Sequence, residues 1–155
     1  MATTGRETVQ QLRDVGTRLG RPPENTPEAN PGEESDLFDT PTAVAVVFPG
    51  DPAVTARLSA DGNDTVVVED RLDLEVPRRD TVAVVEALLS GRARLRMGQG
   101  SALKRIVGTF LGSPMLAELV VTLPDVGRQY SAAVSYVPGA GAWLSALRWE
   151  GAEKP

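Results

Sequence analysis

The chain has 155 residues, 41% hydrophobic and 24% charged, enough for one domain with its own core and outside the ranges of disordered or membrane chains. It contains no cysteine and no histidine, which excludes disulfides, thiolate nucleophiles, Cys/His zinc sites, imidazole acid–base catalysis and Ser-His-Asp triads. The net charge of −5 resides in residues 21–40, where Glu24, Glu28, Glu33, Glu34, Asp36 and Asp39 stand against Arg21 alone; the remainder is neutral and exerts no global pull on nucleic acid.

The chain opens with Val9, Leu12, Val15 and Leu19 at helical spacing between polar residues, a thin apolar stripe interrupted by Gly16. This predicts a short amphipathic helix within residues 1–20, one that needs a partner surface to persist. Residues 21–40 are rich in Pro, Glu and Asn, and composition predicts a disordered acidic linker.

From residue 41 the texture turns to strands. Val44, Val46 and Phe48 lead into Pro49-Gly50-Asp51-Pro52; Val54, Ala56 and Leu58 alternate with polar residues up to Asp61-Gly62-Asn63-Asp64, which turns the chain into Val66 to Val68 as a hairpin. Leu72, Leu74 and Val76 alternate with Arg71, Asp73 and Glu75. Asp80 is expected as the N-cap of a helix carrying Val82, Val85, Leu88 and Leu89, with Gly91 at its C-terminal end.

Arg92 to Met97 alternates again, and the loop Gly98-Gln99-Gly100-Ser101 opens a second helix marked by Leu103, Ile106, Val107, Phe110 and Leu111. Residues 116–123, 129–137 and 143–149 complete the pattern as three further strands, and residues 151–155 form a disordered tail. The predicted class is α+β: a mostly antiparallel sheet of about six or seven strands with two helices on one face, over residues 41–150. No apolar run is long enough to span a bilayer and no basic region leads into an apolar stretch at the start, so the expected location is the cytoplasm.

Three groups of residues could bind something. Arg92, Arg94 and Arg96 share one face of a strand, with Lys104 and Arg105 following, in a stretch between Glu86 and Glu118 that holds no acid. Aligned guanidinium groups suit oxyanions, while pairing with Asp73 and Glu75 would neutralise the row. Tyr130, Tyr136, Trp143 and Trp149 are all the tyrosines and tryptophans of the chain, and as strand residues each like pair would share a face lining a core, a cavity or an interface. Val9 and Leu12 of the first helix, with Leu37 and Phe38 among acids, form a tail that could dock in a groove.

Glu69, Asp70, Asp73 and Glu75 supply carboxylates, but strand geometry points neighbours apart and no metal or catalytic set follows. The glycines before Lys104 fit neither a P-loop nor a dinucleotide fingerprint. No cofactor is implied. The expectation is a non-enzymatic interaction or regulatory protein with an unidentified protein partner, homo-oligomerisation being open. A small-molecule binder or cofactor-independent enzyme with an aromatic-lined cavity stands second, and anion or nucleic-acid binding through the arginine row third.

Overall fold

Alternation over residues 44–76 determines the first sheet. The structure, a computed structural model, describes residues 5–24, 42–97, 115–136 and 142–150. Strands β1 (Thr42–Phe48), β2 (Val54–Ser59), β3 (Asn63–Val68) and β4 (Leu72–Pro77) form an antiparallel meander in the order β1-β2-β3-β4. Cross-strand partners keep the apolar set on one face: Phe48, Val54, Val68 and Leu72 are successive neighbours, as are Val46, Ala56, Val66 and Leu74. All eight are buried. Asp73 and Glu75 project from the opposite face and are exposed, the result that a two-residue side-chain period requires.

Two tight turns shape this meander. At the β2–β3 turn Gly62 has φ +83°, and the Asp61 carboxylate accepts from the Asn63 N–H at 2.9 Å. Between β3 and β4, Glu69 and Asp70 adopt φ of 55° and 53°, and the Arg71 N–H closes the turn on the Val68 carbonyl. Glu69 is held there by two bonds to Ala53, one through its own N–H and one through its carboxylate. The acidic cluster thus divides between a turn and a solvated strand face.

Helix α1 (Gly5–Arg18) packs on helix α2 (Arg78–Leu89) and on β1, while α2 packs on β2, β3 and β4. The buried stripe of α1 is Thr8, Leu12, Val15 and Gly16, rotated slightly from the predicted one, so that Val9 and Leu19 are half-buried at its margin. Gly16 sets that rotation. A Cβ there would lie 2.6 Å from the Arg21 carbonyl and 2.7 Å from the Phe48 ring, so the residue that interrupts the stripe in sequence is a point of close approach in space.

Helix α2 starts earlier than predicted. Pro77 occupies the N-cap position, its side chain makes no capping bond, and Asp80 lies inside the first turn with 3% of its surface exposed. The first N–H of the helix, that of Arg78, is satisfied by the Gly62 carbonyl of the β2–β3 turn at 2.8 Å, one of the donors that a helix start leaves without an intrahelical acceptor. An acid in the first turn still suits the positive end of the helix dipole. The C-terminus follows expectation, with Ser90 bonding back to Glu86 and Gly91 at φ +70°.

Residues 21–24 belong to this fold. The Arg21 guanidinium donates to the carbonyls of Pro49 and Pro52 at 2.8 and 2.6 Å, and the Glu24 N–H bonds to the Val47 carbonyl along the edge of β1. Leu37 and Phe38 lie outside the described residues.

Contacts divide the chain into two compact units, Met1–Ser90 and Gly91–Pro155. The second has its own four-stranded sheet, ordered β7-β6-β5-β8, from β5 (Arg94–Met97), β6 (Met115–Leu123), β7 (Arg128–Tyr136) and β8 (Arg148–Trp149). β6 pairs antiparallel with β5 and β7, and β8 pairs parallel with β5. Leu95, Ala117, Leu119, Val121 and Val134 are buried on one face. The class is therefore α+β, with the strands shared between two sheets. The predicted second helix, with Leu103 to Leu111, lies outside the described residues.

One predicted strand is a helix. Residues 143–149 were expected to run as a strand, but Ala142–Ala146 form helix α3, followed by the two-residue β8. Trp143, Leu144 and Leu147 sit at i, i+1 and i+4, a set that fits a helical face as well as a strand.

Candidate functional site

Arg96 lies on β5 directly opposite Glu118 of β6. Its Nε donates to the Glu150 carboxylate at 2.7 Å, one Nη reaches the Gln129 side-chain oxygen at 2.8 Å, and the other approaches Glu118 at 3.6 Å. Gln129 in turn donates to the Thr122 hydroxyl. The bond to Glu150 raises the pKa of Arg96 above the ordinary guanidinium value against opposing desolvation, with the charges of Glu150 and Glu118 adding to it. Arg96 thus serves its own sheet, through acids other than Asp73 and Glu75.

Arg94 is half-buried and pairs in register with Val120 and Arg148, while Arg92 precedes the strand and is exposed. Lys104 and Arg105, with the Gly98–Ser101 loop, lie outside the described residues. Of the row, Arg96 has the acid partners Glu118 and Glu150.

The aromatic residues do not form the pairs that strand periodicity implies for all four. Tyr130 and Tyr136 do share the β7 ladder, opposite Val121 and Met115. Trp143 and Trp149 fall on a helix and a strand, and so share no strand face. Trp149 is half-buried beside Leu95, and Trp143 is buried at 7% exposure with its indole N–H lacking an acceptor among the described residues. An unsatisfied buried donor costs about 1–3 kcal/mol.

Of the tail residues, Leu12 has no exposed surface and Val9 is half-buried, because α1 lies against α2 and β1. Their apolar area is spent inside the first unit. Among the described residues, no group of three acidic residues is placed to hold a metal ion, and no helix is long and apolar enough to cross a membrane.

Sheet edges are the feature that sequence reasoning overlooked. An edge strand exposes a row of backbone N–H and C=O groups, and natural sheets guard such rows with bulges, charges, proline or brevity. The β1 edge has a register shift between Thr42 and Val44 and is bonded by Glu24. The β4 edge is six residues long, carries exposed Asp73 and Glu75 and ends in Pro77. The β8 edge is two residues long. β7 is different: nine residues, Arg-Gln-Tyr-Ser-Ala-Ala-Val-Ser-Tyr, paired with β6 without any register shift, with no charge after Arg128 and no proline. Among the described residues no strand lies beyond it.

No known protein family, curated protein or solved structure matches the chain. The physical chemistry of its own residues carries the functional reading.

The signal for β7 was present in the sequence as a nine-residue stretch without proline, glycine or acid. Its position at the end of a sheet was not.

Proposed function

We propose that the protein is a non-enzymatic interaction or regulatory protein, and that β7, beyond which no strand lies among the described residues, is where it meets its partner. The observation that carries this reading is the contrast between β7 and the other three edges, each of which bears a recognised guard. Main-chain pairing to such an edge gives affinity through backbone hydrogen bonds and specificity through alternate side chains. Gln129, Ser131 and Ala133 are exposed along one side of the strand, and Tyr130 and Ala132 are half-buried along the other. The chain's lack of cysteine and histidine removes thiolate nucleophiles and imidazole acid–base groups.

Lysine at exposed edge positions is the natural deterrent to strand addition. Affinity capture with the full-length chain and with the double variant Ser131→Lys, Ala133→Lys, using source-organism lysate and the purified chain itself as prey, tests the reading. A protein, a second copy included, retained by the wild type and lost on the lysine variant is the expected result. Identical retention by both overturns it.

A second reading, a small-molecule site beside Trp143, is favoured by the indole N–H, which finds no acceptor among the described residues. A ligand that accepts this hydrogen bond would change Trp143 emission, and the response would disappear in Trp143→Phe. A wild-type chain silent across a ligand panel overturns this alternative.

A further inference from the structure

We infer that the outer edge of β4 takes up an extended peptide segment of a partner protein as an added antiparallel strand, with basic residues at alternate positions opposite Asp73 and Glu75. This surface lies in the first unit and does not depend on the β7 reading above.

The ladder between β3 and β4 runs from Asn63 with Pro77 to Val68 with Leu72 without a register shift. One step beyond its end the Arg78 N–H bonds to the Gly62 carbonyl, which sets the phase of the antiparallel pattern: Leu72, Leu74 and Val76 turn their backbone groups toward β3, and Asp73 and Glu75 turn theirs outward. Among the described residues no strand lies beyond β4. The N–H and C=O groups of Asp73 and Glu75 are therefore the ones that a further ladder would use.

The side chains at the same two positions are exposed carboxylates, and among the described residues neither takes part in an ion pair. An antiparallel strand bonded to their backbone sets its own residues directly opposite them, on the same face of the sheet. Two basic residues spaced two apart thus match both acids at once. Glu69 and Asp70, exposed in the preceding turn, extend the negative field, while the exposed Arg71 at the start of the same row favours a neutral or acidic residue opposite itself. The intervening peptide residues are uncharged, since they face the side on which Leu72, Leu74 and Val76 are buried. Pro77, which has no N–H, closes the edge at its far end.

The charges that guard this edge also choose its occupant. Two copies of β4 paired antiparallel about Leu74 would set Asp73 against Glu75, and pairing about either acid would set it against its own copy, so a second copy meets like charges in each of these registers. A basic strand meets opposite charges instead, and repulsion of one partner with attraction of another is how specificity is built.

Fluorescence anisotropy with the full-length chain at low salt tests this, the probe being a labelled synthetic peptide that carries two lysines two residues apart among threonines. Saturable binding to the wild type is expected, with no binding of the counterpart in which glutamates replace the lysines. The charge-reversed variant Asp73→Lys, Glu75→Lys is expected to bind the lysine peptide about tenfold more weakly or worse and to acquire binding of the glutamate peptide, which separates lost recognition from misfolding. Amide hydrogen exchange reads the backbone: exchange at the Asp73 and Glu75 N–H groups is expected to slow on addition of the lysine peptide, and the same peptide with N-methylated backbone is expected not to bind. Undiminished binding of the methylated peptide overturns strand addition and leaves charge attraction alone. A wild-type chain that does not bind the lysine peptide, or a charge-reversed variant that binds it equally well, overturns the β4 site.

Discussion

Arg78 and Asp64 meet across the junction of the β2–β3 hairpin and α2 through three hydrogen bonds, from Nε to both carboxylate oxygens at 3.0 and 2.8 Å and from Nη2 to one of them at 2.7 Å. Asp64 follows the apolar face of β3, below Val66 and Val68, and its side chain has no exposed surface. A carboxylate so placed needs every lone pair used, and it also accepts from the Thr81 hydroxyl at 2.7 Å and the Ser59 N–H at 3.1 Å. Arg78 further donates to the Ser59 carbonyl. The network fastens the hairpin turn to the start of the helix.

Asp64→Ala is therefore expected to destabilise the chain by about 3–5 kcal/mol, because it leaves a largely buried guanidinium without its partner. Urea unfolding measures this. The double variant Asp64→Ala, Arg78→Ala is expected to cost less than the two single changes together, as coupled neighbours do; strict additivity would show that the pair is not a unit.

The same pair has a defined pH behaviour. The hydrogen bond from Arg78 to Asp64 is the largest influence on Arg78 and raises its pKa above the ordinary guanidinium value, with burial opposing. A raised value means that the contribution is complete below the unfolded-state pKa and is lost only as pH climbs through the folded one. The stability difference between wild type and Arg78→Met should stay constant from neutral to mildly alkaline pH. A difference that shrinks in that range would contradict the assignment.

Gly16→Ala is expected to cost about 1–3 kcal/mol, the usual penalty for overfilling a packed site, since its Cβ would meet a backbone carbonyl and the Phe48 ring inside normal contact distance. Leu12→Ala, which empties a wholly buried position, should cost about 2–5 kcal/mol. Both are read by chemical denaturation. Small effects would mean that α1 contributes little to the first unit.

Asp70→Gly is expected to stabilise the chain by about 0.5–1 kcal/mol, because glycine adopts the φ of +53° found there without steric cost. The thermal midpoint should rise. A fall would indicate that the Asp70 side chain contributes to the turn.

Acids hold Arg96 in place, so releasing it should unmask it. The double variant Glu118→Gln, Glu150→Gln is expected to elute from heparin at higher salt than wild type, since phosphate and sulfate binding scale with uncompensated cations. Unchanged elution would mean that Arg96 is not what limits anion binding.

The sequence by itself determined the local structures whose cause is local. The period-two runs over residues 44–76 and 116–136, the turn at Asp61-Gly62, the helix end at Gly91 and the chemistry ruled out by the absence of cysteine and histidine were all legible, because each depends on neighbouring residues or on composition. Residues 143–149 were not, since their apolar spacing satisfies both periods.

Only the tertiary structure decided what depends on contacts between residues far apart in the chain. It divided the strands into two sheets, brought Gly16 against the Arg21 carbonyl and the Phe48 ring, buried Leu12 within the first unit, assigned Arg96 to Glu118 and Glu150, and placed β7 at the end of its sheet among the described residues. A strand's side-chain pattern records which face is buried but not which neighbour takes its backbone hydrogen bonds, so whether a strand is central or an edge, and hence open to a partner, is settled by topology alone.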